Sequence, residues 1–212
     1  MREIIKINEP ASLTQYRQRP EVVYDGPGFT PVKNDIRNHL LREQGFLCAY
    51  CMGRIRFENM KVEHWLPQRH YPNGQLDYRN MLAVCKGNEG QPRKDQHCDT
   101  RKGADRINYH PAFREHRIED RIRYFANGKI GSTETEFQQQ MNTILNLNCY
   151  RLSQNRKAII DAIRESLNKR RGRRTPDQIE RYIQKWREAT EGEFRPYSGT
   201  AIYWLKKRMR RF

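Results

Sequence analysis

The segment Cys48-Ala-Tyr-Cys51 constrains this chain more than any other. Two thiolates across one tight turn can grip a single Zn²⁺, and a structural site then needs two more ligands from a distant segment. Cys85 and Cys98 can supply them, which predicts a site of Cys48, Cys51, Cys85 and Cys98. His97 is an alternative to Cys98 as fourth ligand; four thiolates is the simpler set. Four protein ligands leave no open position for water, so this zinc is expected to be structural. The twelve residues between Cys85 and Cys98, KGNEGQPRKDQH, read as a surface insertion. Its length costs little entropy once the metal clamps its ends. The bland alternative is four free buried thiols, in a chain that offers no other stabilising device. Cys149 stands alone on an apolar stretch and reads as a buried thiol.

Metal rather than disulfide chemistry follows from the expected compartment. The opening MREIIKINEPASLTQY lacks the apolar core of a signal peptide. No apolar run approaches the roughly 18 residues of a membrane span. A reducing cytoplasm is therefore expected, with no membrane partner, and disulfides are rare there. The formal charge of +16, from 41 Lys and Arg against 25 Asp and Glu, attracts polyanions, of which nucleic acid is the commonest in a cell. A merely solvated basic surface is the duller reading. No GxxxxGK[ST] occurs, so any nucleotide dependence must come from a partner.

Three regions are expected: an arm and helix over 1–45, a chemical segment over 46–110, and a hairpin with helices over 111–212. The first thirty residues read as irregular, broken by Pro20, Gly26, Pro27 and Gly28. A helix capped by Asn34 should follow, with Ile36, Leu40 and Leu41 on one face and Gly45 closing it. Residues 118–131 read as a hairpin turning at Asn127-Gly128. Thr133 and Glu136 form a candidate capping box ahead of Phe137, Met141, Ile144 and Leu145. After a break near 146–148, the helical pattern resumes with Leu152, Ile159, Ile160, Ile163 and Leu167. The basic run 169–174 reads as a linker, then Thr175-Pro176 opens a helix striped by Ile179, Tyr182, Ile183 and Trp186. A last helix carries Ile202, Leu205 and Met209 and ends in KKRMRRF. These stripes read first as core.

Around the cysteines lie Val62-Glu63-His64-Trp65-Leu66-Pro67-Gln68, then Asp77-Tyr78-Arg79-Asn80-Met81-Leu82-Ala83-Val84-Cys85, then His97-Cys98-Asp99-Thr100-Arg101-Lys102-Gly103. Each piece has an ordinary explanation. His64 could be a satisfied core histidine, Glu63 a strand acid, Asn80 a turn residue and Asp99 a helix cap. Their order is the informative part: a strand ending Glu-His, an Asn opening a second strand, and a helix opening with a polar ligand and a Lys.

With GFLCAYC, VEHWLPQ, DYRNMLAVCKGN and HCDTRKG, backed by LNLN at 145–148, the sequence resembles the HNH (ββα-metal) endonuclease family. Within it, the chain looks like the PtuB-type subunits of Septu and retron-associated anti-phage systems. The general motifs cover about 46–105, and the narrower resemblance extends less specifically to most of the chain. The resemblance implies an α+β fold: a ββα-metal core on a four-cysteine zinc knuckle, flanked by helices that make a largely α-helical C-terminal part. It implies phosphodiester hydrolysis with His64 as general base, Glu63 and Asp99 holding Mg²⁺ or Mn²⁺, and Asn80 bracing the loop that orients the base. An Asp at position 99, where His or Asn is common, departs from the pattern and makes the site more anionic. Arg101 and Lys102 suit phosphate contacts. Implied partners are nucleic acid, with DNA favoured over RNA, a PtuA-type ABC ATPase, and in retron versions a reverse transcriptase with its RNA–DNA hybrid. The competing readings are a non-catalytic zinc-stabilised nucleic-acid-binding or adaptor subunit, and a nuclease directed at RNA such as tRNA.

Overall fold

A computed structural model describes residues 1–168 and 174–210; all but Arg174 of the run 169–174 expected to be a linker, and the final residues 211–212, lie outside them. Helices dominate a mixed α+β architecture with two small antiparallel sheets. Strands β1 (Met60–His64) and β2 (Met81–Cys85) pair in a register that sets Met60 opposite Cys85 and His64 opposite Met81. The helix α2 (Phe29–Glu43) covers this pair with Ile36, Leu40 and Leu41, all buried with Leu82 and Val84 in one apolar cluster. Short helix α3 (Cys98–Lys102) follows β2 after the insertion, giving the chain order β1, β2, α3.

Two N-terminal expectations fail. A helix α1 (Ala11–Arg17) forms inside the stretch read as irregular, because burial of Leu13, and of Tyr16 against Phe29, outweighs the breakers that follow it. Helix α2 starts at Phe29 after Gly28 in the left-handed conformation, so Asn34 is an interior residue and not its cap. Glycine is the residue that tolerates this φ of +72° without a steric penalty.

The hairpin of strands β3 (Arg123–Tyr124) and β4 (Ile130–Gly131) turns through Asn127-Gly128 as expected, but residues 118–121 form the short helix α4 (Ile118–Arg121) ahead of it. The Thr133 capping box is absent. Helix α5 (Thr135–Thr143) is entered from Glu134, whose carboxylate is drawn to Tyr109 and Arg121 and whose N–H donates to Ser132 Oγ at 3.1 Å. Phe137, Met141 and Leu145 are still buried.

The helices α6 (Tyr150–Asn168), α7 (Pro176–Arg187) and α8 (Ser198–Met209) share a second apolar cluster of Ile163, Ile179, Ile183, Ala201, Ile202 and Leu205. Thr175 accepts from Gln178 N–H and Gln178 answers, a complete capping box with Pro176 in the first turn. Among the described residues, no helix is long and apolar enough to cross a membrane.

Candidate metal and active site

The CxxC turn is built by local bonds: Cys48 N–H donates to Gly53 O and Met52 N–H to Cys48 O, each at 2.9 Å. Buried Gln44 then ties it to β2. Its amide donates to Leu47 O and Ala83 O and accepts from Ala83 N–H, all at 2.8 Å. That glutamine was invisible in the sequence because its role depends on a partner strand far along the chain. Cys85 ends β2 and Cys98 opens α3, the latter at φ +54° with its N–H donating to Leu145 O at 2.9 Å. Here the LNLN motif finds its use. Asn146 also donates to Lys94 O and Gln96 O, fastening the insertion beside the fourth cysteine.

The four sulfurs of Cys48, Cys51, Cys85 and Cys98 lie within 4.8 Å of one another. The Cys48–Cys98 and Cys51–Cys85 separations are 3.8 Å. Four thiolates about 2.3 Å from one ion at tetrahedral angles sit about 3.8 Å apart, so this donor set can hold a metal such as zinc. His97 Nδ1 is 3.2 Å from Cys98 Sγ and 3.8 Å from Cys85 Sγ, beside the cluster but outside the four. Cys149, expected to be buried, is half-buried just ahead of α6.

Alternation along β1 sends Glu63 and His64 to opposite faces. Glu63, only 3% exposed, accepts from Tyr50 OH at 3.0 Å and pairs with Lys102 Nζ at 2.7 Å. The Asp99 carboxyl lies near enough to act on it electrostatically. Burial first, and Asp99 second, push the Glu63 carboxyl well above the usual carboxylate range, against the pull of Lys102. Asp99 lies in the first turn of α3, two residues beyond its N-cap His97, and is partly open to solvent.

His64 is 8% exposed on the other face, its ring edge-on to Tyr24 with centroids 4.7 Å apart. Nε2 lies 2.9 Å from Gln75 O and 3.2 Å from the Gln68 amide. A carbonyl can only accept, which puts the proton on Nε2 and leaves the lone pair on Nδ1. Burial holds the imidazole below its ordinary pKa and hence neutral near pH 7. Asn80 stitches the intervening loop: Oδ1 accepts from Leu66 N–H at 2.7 Å, while Nδ2 donates to Leu66 O and Gly74 O.

The structure therefore brings Glu63, Asp99 and Lys102 together and sets the His64 ring across the strand from them. Lys102 is 2% exposed and spends its charge on Glu63. The Arg101 guanidinium donates to Thr143 O and Arg93 O. A cation that sequence reading passed over is Lys61, two residues before Glu63 on the same face. Its partly exposed amine reaches Glu89, Thr100 Oγ1 at 3.2 Å and Asp99 at 3.7 Å. The alternation of β1 was the signal that could have found it.

Removing Lys102 should expose the strength of the buried pair. Lys102→Met leaves the Glu63 carboxylate buried without its cation and is expected to lower stability by about 3–5 kcal/mol in denaturant unfolding. Adding Glu63→Gln should restore most of the loss. A Lys102→Met chain as stable as wild type would mean that the pair contributes nothing to folding.

A paired-strand module followed by a short helix, with four convergent cysteines, defines a mixed α+β protein with a cluster that could hold a metal ion. The sequence is similar to the Septu protein PtuB of Bacillus thuringiensis, 38% identical over 88 residues. The match covers 40% of this chain and spans about a third of the relative, 32% of its length. No protein-family profile matches the chain.

Proposed function

We propose that the chain is a metal-dependent endonuclease of the ββα-metal type, working in a Septu-like anti-phage defence complex beside a PtuA-type ATPase. The observation that carries this reading is the approach of α3 to β1, which seats Lys102 on Glu63 and brings the Asp99 carboxyl beside the same strand, within reach of Lys61, next to the four-cysteine cluster. The similarity to a Septu protein supports the defence setting.

One buried and one solvent-open carboxylate suit Mg²⁺ or Mn²⁺, which bind through one or two carboxylates and keep several waters. Bound there, such an ion would neutralise phosphate charge and help the leaving oxygen. Each of the chain's own residues has a task in this scheme. His64, neutral with its lone pair on Nδ1, takes the proton from the attacking water. Asn80 holds the loop that fixes the imidazole. Lys102 holds the Glu63 carboxyl in place and opposes the rise that burial imposes on its pKa, and Arg101 serves the phosphate from α3. Zinc at Cys48, Cys51, Cys85 and Cys98 holds the frame.

One observation favours the adaptor reading instead. An ammonium seated on the first carboxylate is also what a site that has exchanged its divalent ion for a lysine would look like. The two readings part in one assay. The purified chain, alone and with the ATPase from its own operon, is incubated with duplex DNA, single strands and tRNA under Mg²⁺. The expected result is little cleavage alone and clear cleavage with the partner, because a toxic nuclease needs restraint. No cleavage of any substrate in the complex would leave the adaptor reading standing. Unselective cutting by the isolated chain would remove the ATPase from the proposal.

A further inference from the structure

A wide groove runs along the 86–90 turn. It encloses about 740 Å³ and is lined by Arg54, Lys86, Asn88, Arg151, Asn155 and Tyr197 among others. Its acids and bases are not evenly matched. Arg54 is paired with Glu193, and Glu89 on the rim is paired with Lys61. Among the described residues, neither Lys86 nor Arg151 meets a carboxylate in any ion pair; Arg151 donates only to the Asn88 amide oxygen, at 3.0 Å. Both are exposed.

The turn itself adds donors. The N–H groups of Asn88 and Gly90 have no acceptor among the described residues, while Gly87 is itself buried. Left-handed φ values of +54°, +60° and +84° at Gly87, Asn88 and Gly90 shape the turn. A side chain at Gly87 is excluded because its Cβ would fall 1.9 Å from His97 O. Nothing lies within 4 Å of where a Cβ on Gly90 would stand, so backbone there is open to a ligand. Unneutralised cations, free amides and neutral amide side chains together are donors to phosphate oxygens, with no base-reading geometry among them.

We infer that this groove beside the cysteine cluster is a track for the phosphodiester backbone of the nucleic acid. This rests on the nuclease reading only for where the strand leads. From the Glu89 rim, Lys61 continues the line of cations to Asp99, so a strand anchored at Lys86 and Arg151 runs toward the carboxyl pair. Backbone contacts of this kind hold register without reading sequence.

The test is binding by the intact chain, followed by fluorescence anisotropy on duplex DNA and on tRNA in Ca²⁺, across a salt series. Lys86→Gln/Arg151→Gln should weaken both at least about tenfold and lower the log–log salt slope by about 1.8 on duplex DNA. A charge-matched control, Lys207→Gln/Arg208→Gln on α8, touches residues outside the groove. Lys86→Glu/Arg151→Glu serves as a second variant, with zinc content and melting temperature recorded for each. Loss on one of the two nucleic acids alone would assign the track to that one. The inference is overturned if the groove variants bind like wild type, if they lose no more than the control, or if wild type binds neither probe. Binding through the groove without cleavage in the complex would sink the nuclease reading and leave the track. Cleavage undiminished in the groove variants would do the reverse.

Discussion

His64→Ala is expected to reduce phosphodiester cleavage by the assembled complex by about 10²–10⁴-fold, the usual loss when a general base is removed. Zinc content and nucleic-acid affinity should stay close to wild type, because the imidazole acts on the proton of the attacking water and not on the bound strand. His64 is buried against Tyr24 and donates to Gln75 O, so truncation to alanine also removes packing. His64→Gln is the better-matched comparison. Its amide can still donate to that carbonyl, but it has no basic nitrogen. Both variants should be comparably inactive, while Gln melts closer to wild type. Cleavage at the wild-type rate by either folded variant would remove His64 from the chemistry and return the chain to the binding-module reading.

Removing one ligand from the cysteine cluster should have an equally large effect on folding. One zinc per chain is expected to copurify, and Cys48→Ser or Cys51→Ser should give insoluble or molten protein. Structural zinc contributes roughly 10–16 kcal/mol in small zinc-bound peptides, as much as the whole stability of a typical domain. The reason it should matter so much here is positional. The four sulfurs join the CxxC turn, the end of β2 and the start of α3, three segments far apart in the chain. Chelator should therefore unfold the wild-type chain, followed by circular dichroism alongside metal release. Folded, soluble protein that contains no zinc would show that apolar packing alone holds these segments.

Both results bear on how the chain encodes its site. The four cysteines could be read directly because a tetrathiolate centre needs one rare residue type in a fixed number, wherever it falls in the chain. Helix α7 was equally legible: Thr175, Pro176 and Gln178 act within a single turn, and the stripe of Ile179 and Ile183 repeats at helical spacing. The Asn127-Gly128 turn is local in the same way. These are signals in which cause and effect lie a few residues apart.

Failures arose where the deciding partner is remote. Thr133 and Glu136 have capping-box spacing, but Glu134 is held by Tyr109 and Arg121 from earlier in the chain, and the helix is entered there. Helix α1 owes its existence to Phe29, beyond the breakers that argued against it. Lys102 reads in sequence as a cation suited to phosphate contacts, and only the approach of α3 to β1 buries its amine against Glu63. The same approach leaves Lys61 as the accessible cation near Asp99. By itself the sequence determined which residue types are available for metal and carboxylate chemistry, and where the chain can turn or coil locally. Tertiary structure alone decided which charges face each other and which face water, because burial of a charge depends on every surface packed around it, and those surfaces come from segments far apart in the chain.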